Sequence, residues 1–570
     1  MNGDTFSRAD RPLPSSSGVA PRESALSWTL LLWLAAAATL VISPFWFLGN
    51  ASGHDFQFHL ASWMEVIRQW HQGILYPRWA EWANFGFGEP RFIFYPPLSW
   101  LLGAALGSIL PWRMVPGAFI WLALILSGVT MHGLARRWLS PRDAIAAAVF
   151  FAVNPYHLII VYYRSDFAEL LASALFPALI LSAIDMGRKG WNRVPAFAFV
   201  FALIWLANGP AAVIATYTIA IVVLVQYFLE RSPRVFATAA AGGALGLALA
   251  AFYIFPAWFE ERWVDIAGAL APQLEPWNNF IFMHADDPEF VIFNWKVSAV
   301  ALFAFALFGI SAVIAARKRK SAPEMFWPLF VAGAASILLM FPYTVALWKF
   351  APELKFVQFP WRWLLSLDVS AVLFFAAAAA SLRRRWLAWS AIAICLVALG
   401  AWMMTNNWWD SQDAPFLASS IDSGRGYEGA DEYVPLGSDR YSLPDVSPIV
   451  AALDADSQKP VPDDAAHLRV EHWDAQYKSL RSESPQSFIL ALKLFPYPAW
   501  RATVNGTPVP LDPLGDAGQA SLQVPAGTSR VELHFVRTPD RTAGGVISLF
   551  AALGFLAFWR KTRRANSPPA

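Results

Sequence analysis

LSWTLLLWLAAAATLVISPFWFLGNASGHDFQFHL, residues 26–60, decides how the rest of the chain is read. Residues 26–48 carry no charge and are long enough to cross the hydrocarbon core of a bilayer as a helix. Arg8, Arg11 and Arg22 precede this run, which puts the N-terminus in the cytoplasm by the positive-inside rule. The run lacks a small-residue cleavage site and reads as a retained helix, with 1–25 as a disordered cytoplasmic tail. GHDFQFHL therefore emerges on the far side and brings His54, Asp55 and His59 to the membrane surface. From Asp55 to Gln72, the residues Phe56, Leu60, Trp63, Met64, Ile67 and Trp70 fall at helical spacing, with Asp55, His59, Ser62 and Gln69 opposite them. That pattern predicts an amphipathic helix lying along the surface rather than crossing it.

Apolar runs of the same kind recur along the chain. Apolar residues make up 56% and charged ones 15%, against about 25% charged in an ordinary globular protein. The fold class that follows is a mainly α polytopic membrane protein with about 12 crossings. A net charge of +2, with the basic residues in short clusters between apolar runs, gives no surface for nucleic acid. The 29 tryptophans suit interfacial belts and sugar-facing surfaces. Cys395 is the single cysteine, so an internal disulfide and a thiolate metal site are both excluded.

The clusters at 136–142, 188–193, Arg231 with Arg234, 317–320 and 383–385 should all be cytoplasmic. Spans at 116–135, 143–160, 168–187, 195–207, 210–228, 238–256, 297–316, 327–348, 362–381 and 386–404 satisfy every cluster. The apolar stretch 92–110, FIFYPPLSWLLGAALGSIL, then has to begin and end on the same outer side as GHD. It reads as a helix embedded from the outer face. Residues 26–404 thus form the transmembrane domain, with 49–115 as its first outer loop. Further outer segments, 162–169, 208–210, 258–296 and 349–362, face that loop.

Residues 405–541 are polar and contain no spanning run. Alternation of Phe488, Leu490, Leu492 and Leu494, and of Val531, Leu533 and Phe535, predicts strands. Asn505-Gly506 signals a tight hairpin, and Pro525-Ala526-Gly527 a second turn. The expectation is a small extracytoplasmic β-sandwich-like domain. A last span within 542–560 leads to a basic cytoplasmic tail at 561–570.

LYPRW at 75–79, NFGFGEP at 84–90, FYPPLSW at 94–100, YYRSDFAELLA at 162–172 and FVQFPWRWL at 356–364 resemble bacterial and archaeal membrane proteins labelled 6-pyruvoyl-tetrahydropterin synthase-related. FPYPAWRATVNGTPVPL at 495–511 resembles the outer β-domain of related large membrane proteins. Pterin chemistry does not follow from the label, because a zinc site needs convergent ligands and the nine histidines are scattered. The plan is also similar to that of GT-C glycosyltransferases such as the aminoarabinose and protein O-mannosyl transferases. Under that resemblance Asp55 matches an essential acid of the first outer loop. Tyr95-Pro96-Pro97-Leu98 matches a Pro-Pro-Leu element, with Tyr95 where the aminoarabinose enzymes usually carry a lysine. Asp166 matches a second acid after the third membrane helix. The implied donor is a polyprenyl-phosphate-linked sugar taken on the outer face.

Transfer from a lipid phosphate needs a base on the nucleophile and positive charge on the leaving phosphate. Asp55 is a candidate base, a reading compatible with its also being the N-cap of its helix. His54 and His59 are candidates to orient it or to help hold a divalent cation; His59 is otherwise an interfacial histidine. Arg164 is read as a phosphate ligand or as a structural partner of Asp166 and Glu169 at a helix end. Arg362, after Gln358, is read as a second phosphate ligand or as a snorkelling side chain. Asp166 joins Asp55 as a catalytic candidate, and Arg78, Tyr95, Glu169 and Gln358 complete the expected substrate-binding set. His284, Asp286 and Asp287 read as a solvated turn, with substrate closure or metal binding as the alternative. Trp402, Trp408 and Trp409 mark the interface or stack on sugar.

The leading functional expectation is a multi-pass enzyme of the bacterial inner membrane. It would move sugar to a cell-envelope glycan, lipid or protein among membrane lipids, with no certain cofactor. The alternative is a non-catalytic protein that binds or translocates a lipid-linked glycan.

Overall fold

The computed structural model describes residues 27–283, 288–444, 447–462 and 465–565. The expected tails, and the His284–Asp286–Asp287 cluster, lie outside the described residues except for the first part of the C-terminal tail.

Helix α1 (Trp28–Ile42) is capped by Ser27, whose side chain accepts from the Leu30 amide. The surface helix α2 spans Phe56–His71 and the embedded helix α3 spans Pro97–Gly107. At 11 residues α3 is about 16 Å long, roughly half a hydrocarbon core, and cannot cross. It packs along α2 and the helix Val115–Ala135. A Cβ at Gly103 would run into the Trp63 indole, so only glycine lets the two helices approach this closely. Gly103→Val is therefore expected to cost about 1–3 kcal/mol by overpacking, read as a lower melting temperature in detergent. An unchanged melt would show that α3 does not depend on this contact.

Among the described residues nine helices are long and apolar enough to cross a membrane, or eleven if each of two sharply bent pairs is one span. One of the nine, Phe167–Ala207, has 41 residues, about twice the length a crossing needs. It breaks at the turn Gly190–Arg193, so it contains both spans expected at 168–187 and 195–207. Its first helix, α4, covers Phe167–Ser173. Three later helices matter for the site: α5 (Pro288–Ala315), α6 (Leu364–Ala379) and α7 (Arg385–Thr405). Helix α5 starts well before the expected 297, which turns the end of the anticipated loop into helix. The chain ends in α8 (Pro539–Ala565).

Ion pairs link Arg137 to Asp185 (2.6 Å), Arg385 to Asp143 (3.2 Å) and Arg188 to Glu324 (3.3 Å) across helix ends. The opposite end is closed differently. Asn50–Ala51 pairs with Trp409–Asp410, the Asp55 amide donates to the Arg164 carbonyl (2.9 Å), and Ser165 Oγ donates to the Ala51 carbonyl (2.7 Å). The ends of α1 and α7 and the loop after Tyr163 thus meet in one place.

The sandwich starts only at Val450. A four-stranded sheet faces a five-stranded one, in which Gly527–Phe535 lies between Tyr477–Ser484 and Trp500–Val504. The alternating Phe488, Leu490, Leu492, Val531, Leu533 and Phe535 all point inward. Asn505 and Gly506, with φ of 51° and 80°, make the two-residue hairpin turn. Pro525-Ala526-Gly527 instead carries the chain from one sheet to the other. Trp79, Phe87 and Ile93 of the first loop insert into the same core, fixing the domain to the bundle.

Residues 405–449 are not part of the sandwich and lie partly over α2. Ser52 Oγ and Gln57 Nε2 donate to Asp413, and Arg68 pairs with Asp422. This changes the reading of α2, whose polar stripe faces protein instead of water. His59, Ser62, Glu65 and Gln69 are all buried. Glu65 accepts from the Trp82 amide (2.6 Å) and the Tyr427 hydroxyl (3.0 Å), and Gln69 Nε2 donates to the Trp79 carbonyl (2.8 Å). Burial, reinforced by the charge of Glu81, raises the Glu65 carboxyl to about 7 despite these hydrogen bonds. The folded state therefore keeps a proton that the unfolded chain has lost. Stability should fall as pH rises from about 4.5 to about 7 and level off above. Glu65→Gln is expected to flatten that limb in melts taken across this range; an unaltered limb would assign it to another group.

Candidate active site

The site forms where α2 begins, beside the turn between Pro141–Arg164 and Phe167–Ala207. Ile160–Arg164 is a π-helical turn that ends at Ser165, which has a φ of 52°. It directs Arg164 inward and lets the 163–165 backbone touch Gly53, where a Cβ would clash with the Tyr163 carbonyl.

Asp55 occupies the cap position of α2, but its side chain makes no capping hydrogen bond. Its Oδ2 instead accepts from Arg164 Nη2 at 3.0 Å. The same Nη2 donates to Asp166 Oδ2 (3.2 Å), and Nη1 donates to Glu169 Oε2 (2.5 Å). Arg362 reaches in from the start of α6. Its Nε donates to Glu169 Oε2 (3.0 Å), its Nη1 to the Val357 carbonyl (3.0 Å) and Gln358 Oε1 (3.3 Å), and its Nη2 lies 3.5 Å from Asp166. Tyr156, which sequence reasoning missed, donates its hydroxyl to Glu169 Oε1. Asp166 is itself a cap, with Oδ1 accepting from the Glu169 amide (2.9 Å).

Three carboxylates and two guanidiniums therefore share one network with a formal excess of one negative charge. Burial disfavours the Asp166 carboxylate, but the His59 imidazole and the charges of Arg164 and Arg362 outweigh it. They hold Asp166 well below the usual carboxylate range. His59 Nε2 lies 3.6 Å from Asp166 Oδ1, too far for a direct hydrogen bond. Burial, and then the charges of Asp166 and Asp55, raise the Tyr95 phenol well above its ordinary value, so it stays a neutral donor. The Asp55 side chain is 38% exposed, whereas those of Arg164, Asp166, Glu169 and Arg362 are at most 5% exposed.

The other expected residues divide. His54 is exposed and packs edge-on against Phe293, with ring centroids 4.9 Å apart. Tyr95 stands over α2 against Phe58 (4.8 Å) and His59 (5.8 Å). Gln358 is tied back by Nε2 to the Ala269 carbonyl at 2.6 Å. Arg78 belongs to a different cluster: it stacks on Tyr76 (4.4 Å) among the charges of Arg541, Glu260 and Arg537. There Arg541 binds Glu260 through Nε (2.6 Å) and Nη2 (2.7 Å), joining α8 to the helix Ala251–Glu260. Among the described residues no group of three His, Cys, Asp or Glu side chains converges as metal ligands. Asp55, Asp166 and Glu169 instead all pair with the Arg164 guanidinium.

Residues 92–408 match the family described as 6-pyruvoyl-tetrahydropterin synthase related domain; membrane protein. The chain belongs to this family. The 6-pyruvoyl-tetrahydropterin synthase-related region includes Arg164, Asp166, Glu169 and Arg362 but not Asp55 or the sandwich. No curated protein matches the chain in sequence. Among solved structures it is similar to the Archaeoglobus fulgidus oligosaccharyltransferase in the apo form, at 14% identity and a TM-score of 0.40 over 70% of this chain and 56% of that one. It is similar to the arabinofuranosyltransferase AftD from Mycobacteria, at 17% identity and a TM-score of 0.40 over 70% of this chain and 29% of that one. It is also similar to ArnT from Cupriavidus metallidurans in the apo state, at 12% identity and a TM-score of 0.30 over 78% of this chain and 96% of that one. The chain thus spans a little over half of the oligosaccharyltransferase and less than a third of AftD.

Proposed function

We propose that this membrane protein is a GT-C-type glycosyltransferase that moves a sugar from a polyprenyl-phosphate donor to a cell-envelope acceptor. The observation that carries the proposal is Asp55, an exposed carboxylate held by a buried guanidinium instead of capping its own helix. In this reading Asp55 takes the proton of an acceptor hydroxyl as its oxygen attacks the anomeric carbon. The bond from that carbon to the phosphate oxygen breaks, and polyprenyl phosphate leaves with the electron pair. Asp166, Glu169 and Arg362 position Arg164, which in turn orients Asp55. His54 and Tyr95 line the approach, with His59 buried against Tyr95.

The basic helix ends with Arg137, Arg188 and Arg385 lie away from the sandwich and favour a cytoplasmic placement for that end. Asp55 and the sandwich would then face outward from the bacterial inner membrane. One observation favours the alternative, a non-catalytic protein that binds or translocates a lipid-linked glycan. Arg164 and Arg362 are already paired with acids and backbone in the resting geometry.

The test uses purified protein in nanodiscs with radiolabelled polyprenyl-phosphate sugars and cell-envelope acceptors. Product formed by the wild type and not by Asp55→Asn supports transfer. Donor binding without product in the wild type supports the alternative, and equal product from both proteins sinks the carboxylate mechanism.

A further inference from the structure

Arg164 and Arg362 are both paired inside a buried network with a formal excess of negative charge, so a lipid phosphate calls for a different cation. Lys296 on α5 provides one. Among the described residues it pairs with no acid, and its Nζ sits over the rings of Tyr163 (4.4 Å) and Trp402 (5.8 Å). Tyr163 is 7% exposed, and its hydroxyl is buried without a hydrogen-bond partner. An unpaired ammonium and an unused phenol donor side by side, in a segment able to span the membrane, point to an absent anion.

The surroundings define what carries that anion. Helices α5 and α7 both pack on Pro155–Ile159, and α7 also on the π-helical turn, but they pack little on each other, which leaves a cleft between them where Lys296 meets Tyr163 and Trp402. Helix α7 buries only Ile392 and Met403, and Ile292, Trp295 and Ile310 of α5 are exposed, so the cleft opens to lipid. Toward the other end of α5, an apolar cavity of ≈ 150 Å³ lies between Leu307, Ile310 and Ile314 of α5 and Phe375, Leu382 and Ala388. It begins about 16 Å below Lys296 along the helix. On the other side of Lys296, one turn away, Phe293 touches His54 and Trp361 (5.7 Å), and Arg164 stacks on Trp361 (5.1 Å). A single aromatic layer therefore separates Lys296 from the Asp55 network.

We propose that Lys296 and Tyr163 bind the phosphate of a polyprenyl phosphate that enters sideways from the bilayer, with its chain in the α5–α7 cleft. The choice of an isoprenoid lipid over another phosphate lipid rests on the transferase reading above.

The experiment measures binding of a medium-chain polyprenyl phosphate to the full chain in phosphatidylcholine nanodiscs, by quenching of tryptophan fluorescence. Lys296→Gln should weaken binding roughly tenfold or more. Tyr163→Phe should weaken it by a smaller factor, and Lys296→Arg should bind like the wild type, which excludes misfolding as the cause. The proposal is overturned if Lys296→Gln binds normally or if the uncharged polyprenol binds equally well. Competition by inorganic phosphate at equal concentration would make this a free-phosphate site, and equal competition by phosphatidylglycerol a resident-phospholipid site; either overturns it. Lys296-dependent binding with no sugar transfer by the wild type would sink the transferase reading and leave this site standing. Transfer at an unchanged KM in Lys296→Gln would do the reverse.

Discussion

Asp55→Asn is expected to lower sugar transfer by about a thousandfold, within the range of about 10²–10⁴ that a positioned general base contributes. The change is nearly isosteric, and the amide oxygen can still accept from Arg164 Nη2, now 3.0 Å from the carboxylate. What is lost is the ability to take the acceptor's proton. The loss should therefore appear in kcat with KM for the lipid donor little changed. Asp55 supplies no helix cap, so the melting temperature should hold within a degree or two. Asp166→Asn should behave otherwise. Asp166 is sealed from solvent and caps α4, so its substitution acts on stability first and on rate only through Arg164. A thousandfold loss in both variants with equal melting temperatures would contradict this division of roles.

Arg164→Met is expected to destabilise the fold by about 3–5 kcal/mol, the cost of leaving buried charges without their partner. Its guanidinium serves Asp55, Asp166 and Glu169 at once, and the two latter side chains are 5% and 0% exposed. Arg362 alone would remain to balance them. Arg164→Lys should fall between, because one ammonium cannot reproduce the two-pronged geometry. The difference between wild type and Arg164→Met should also depend on pH. Asp166 is held below its ordinary 3.8, so its share of stability is present above about pH 4 and is lost as pH falls through the lower folded value. The gap should narrow in strong acid. Thermal unfolding in detergent across pH checks both statements, and a variant as stable as the wild type at neutral pH would show the network to be dispensable.

Local patterns carried much of the fold. Apolar run length identified the helices, and the distribution of arginines made 92–110 a stretch that does not cross, as the 11-residue α3 bears out. Asn505-Gly506 located a hairpin because few other residue pairs tolerate two positive φ angles in succession. Membership of the buried charge network was legible only in part. YYRSDFAE and FPWR stood out because charges are costly beside apolar runs, so Arg164, Asp166, Glu169 and Arg362 were found. Tyr156 gave no such signal, being an ordinary aromatic in an apolar run.

The sequence by itself determined the class of the protein, the turn chemistry of its sandwich and the choice between crossing and embedding for α3. These depend on segment length, charge placement and backbone preference, all of which are local. Only the tertiary structure decided that Asp55 binds Arg164 and does not cap α2, because those residues are 109 positions apart in the chain. It likewise covered the polar stripe of α2 with residues from the 80s and 420s, and sent Arg78 to a separate network with Arg541 and Glu260. Helical periodicity gives a side chain its face but not the element that packs against that face. Whether a polar residue caps a helix, pairs with a charge or awaits a ligand depends on that partner.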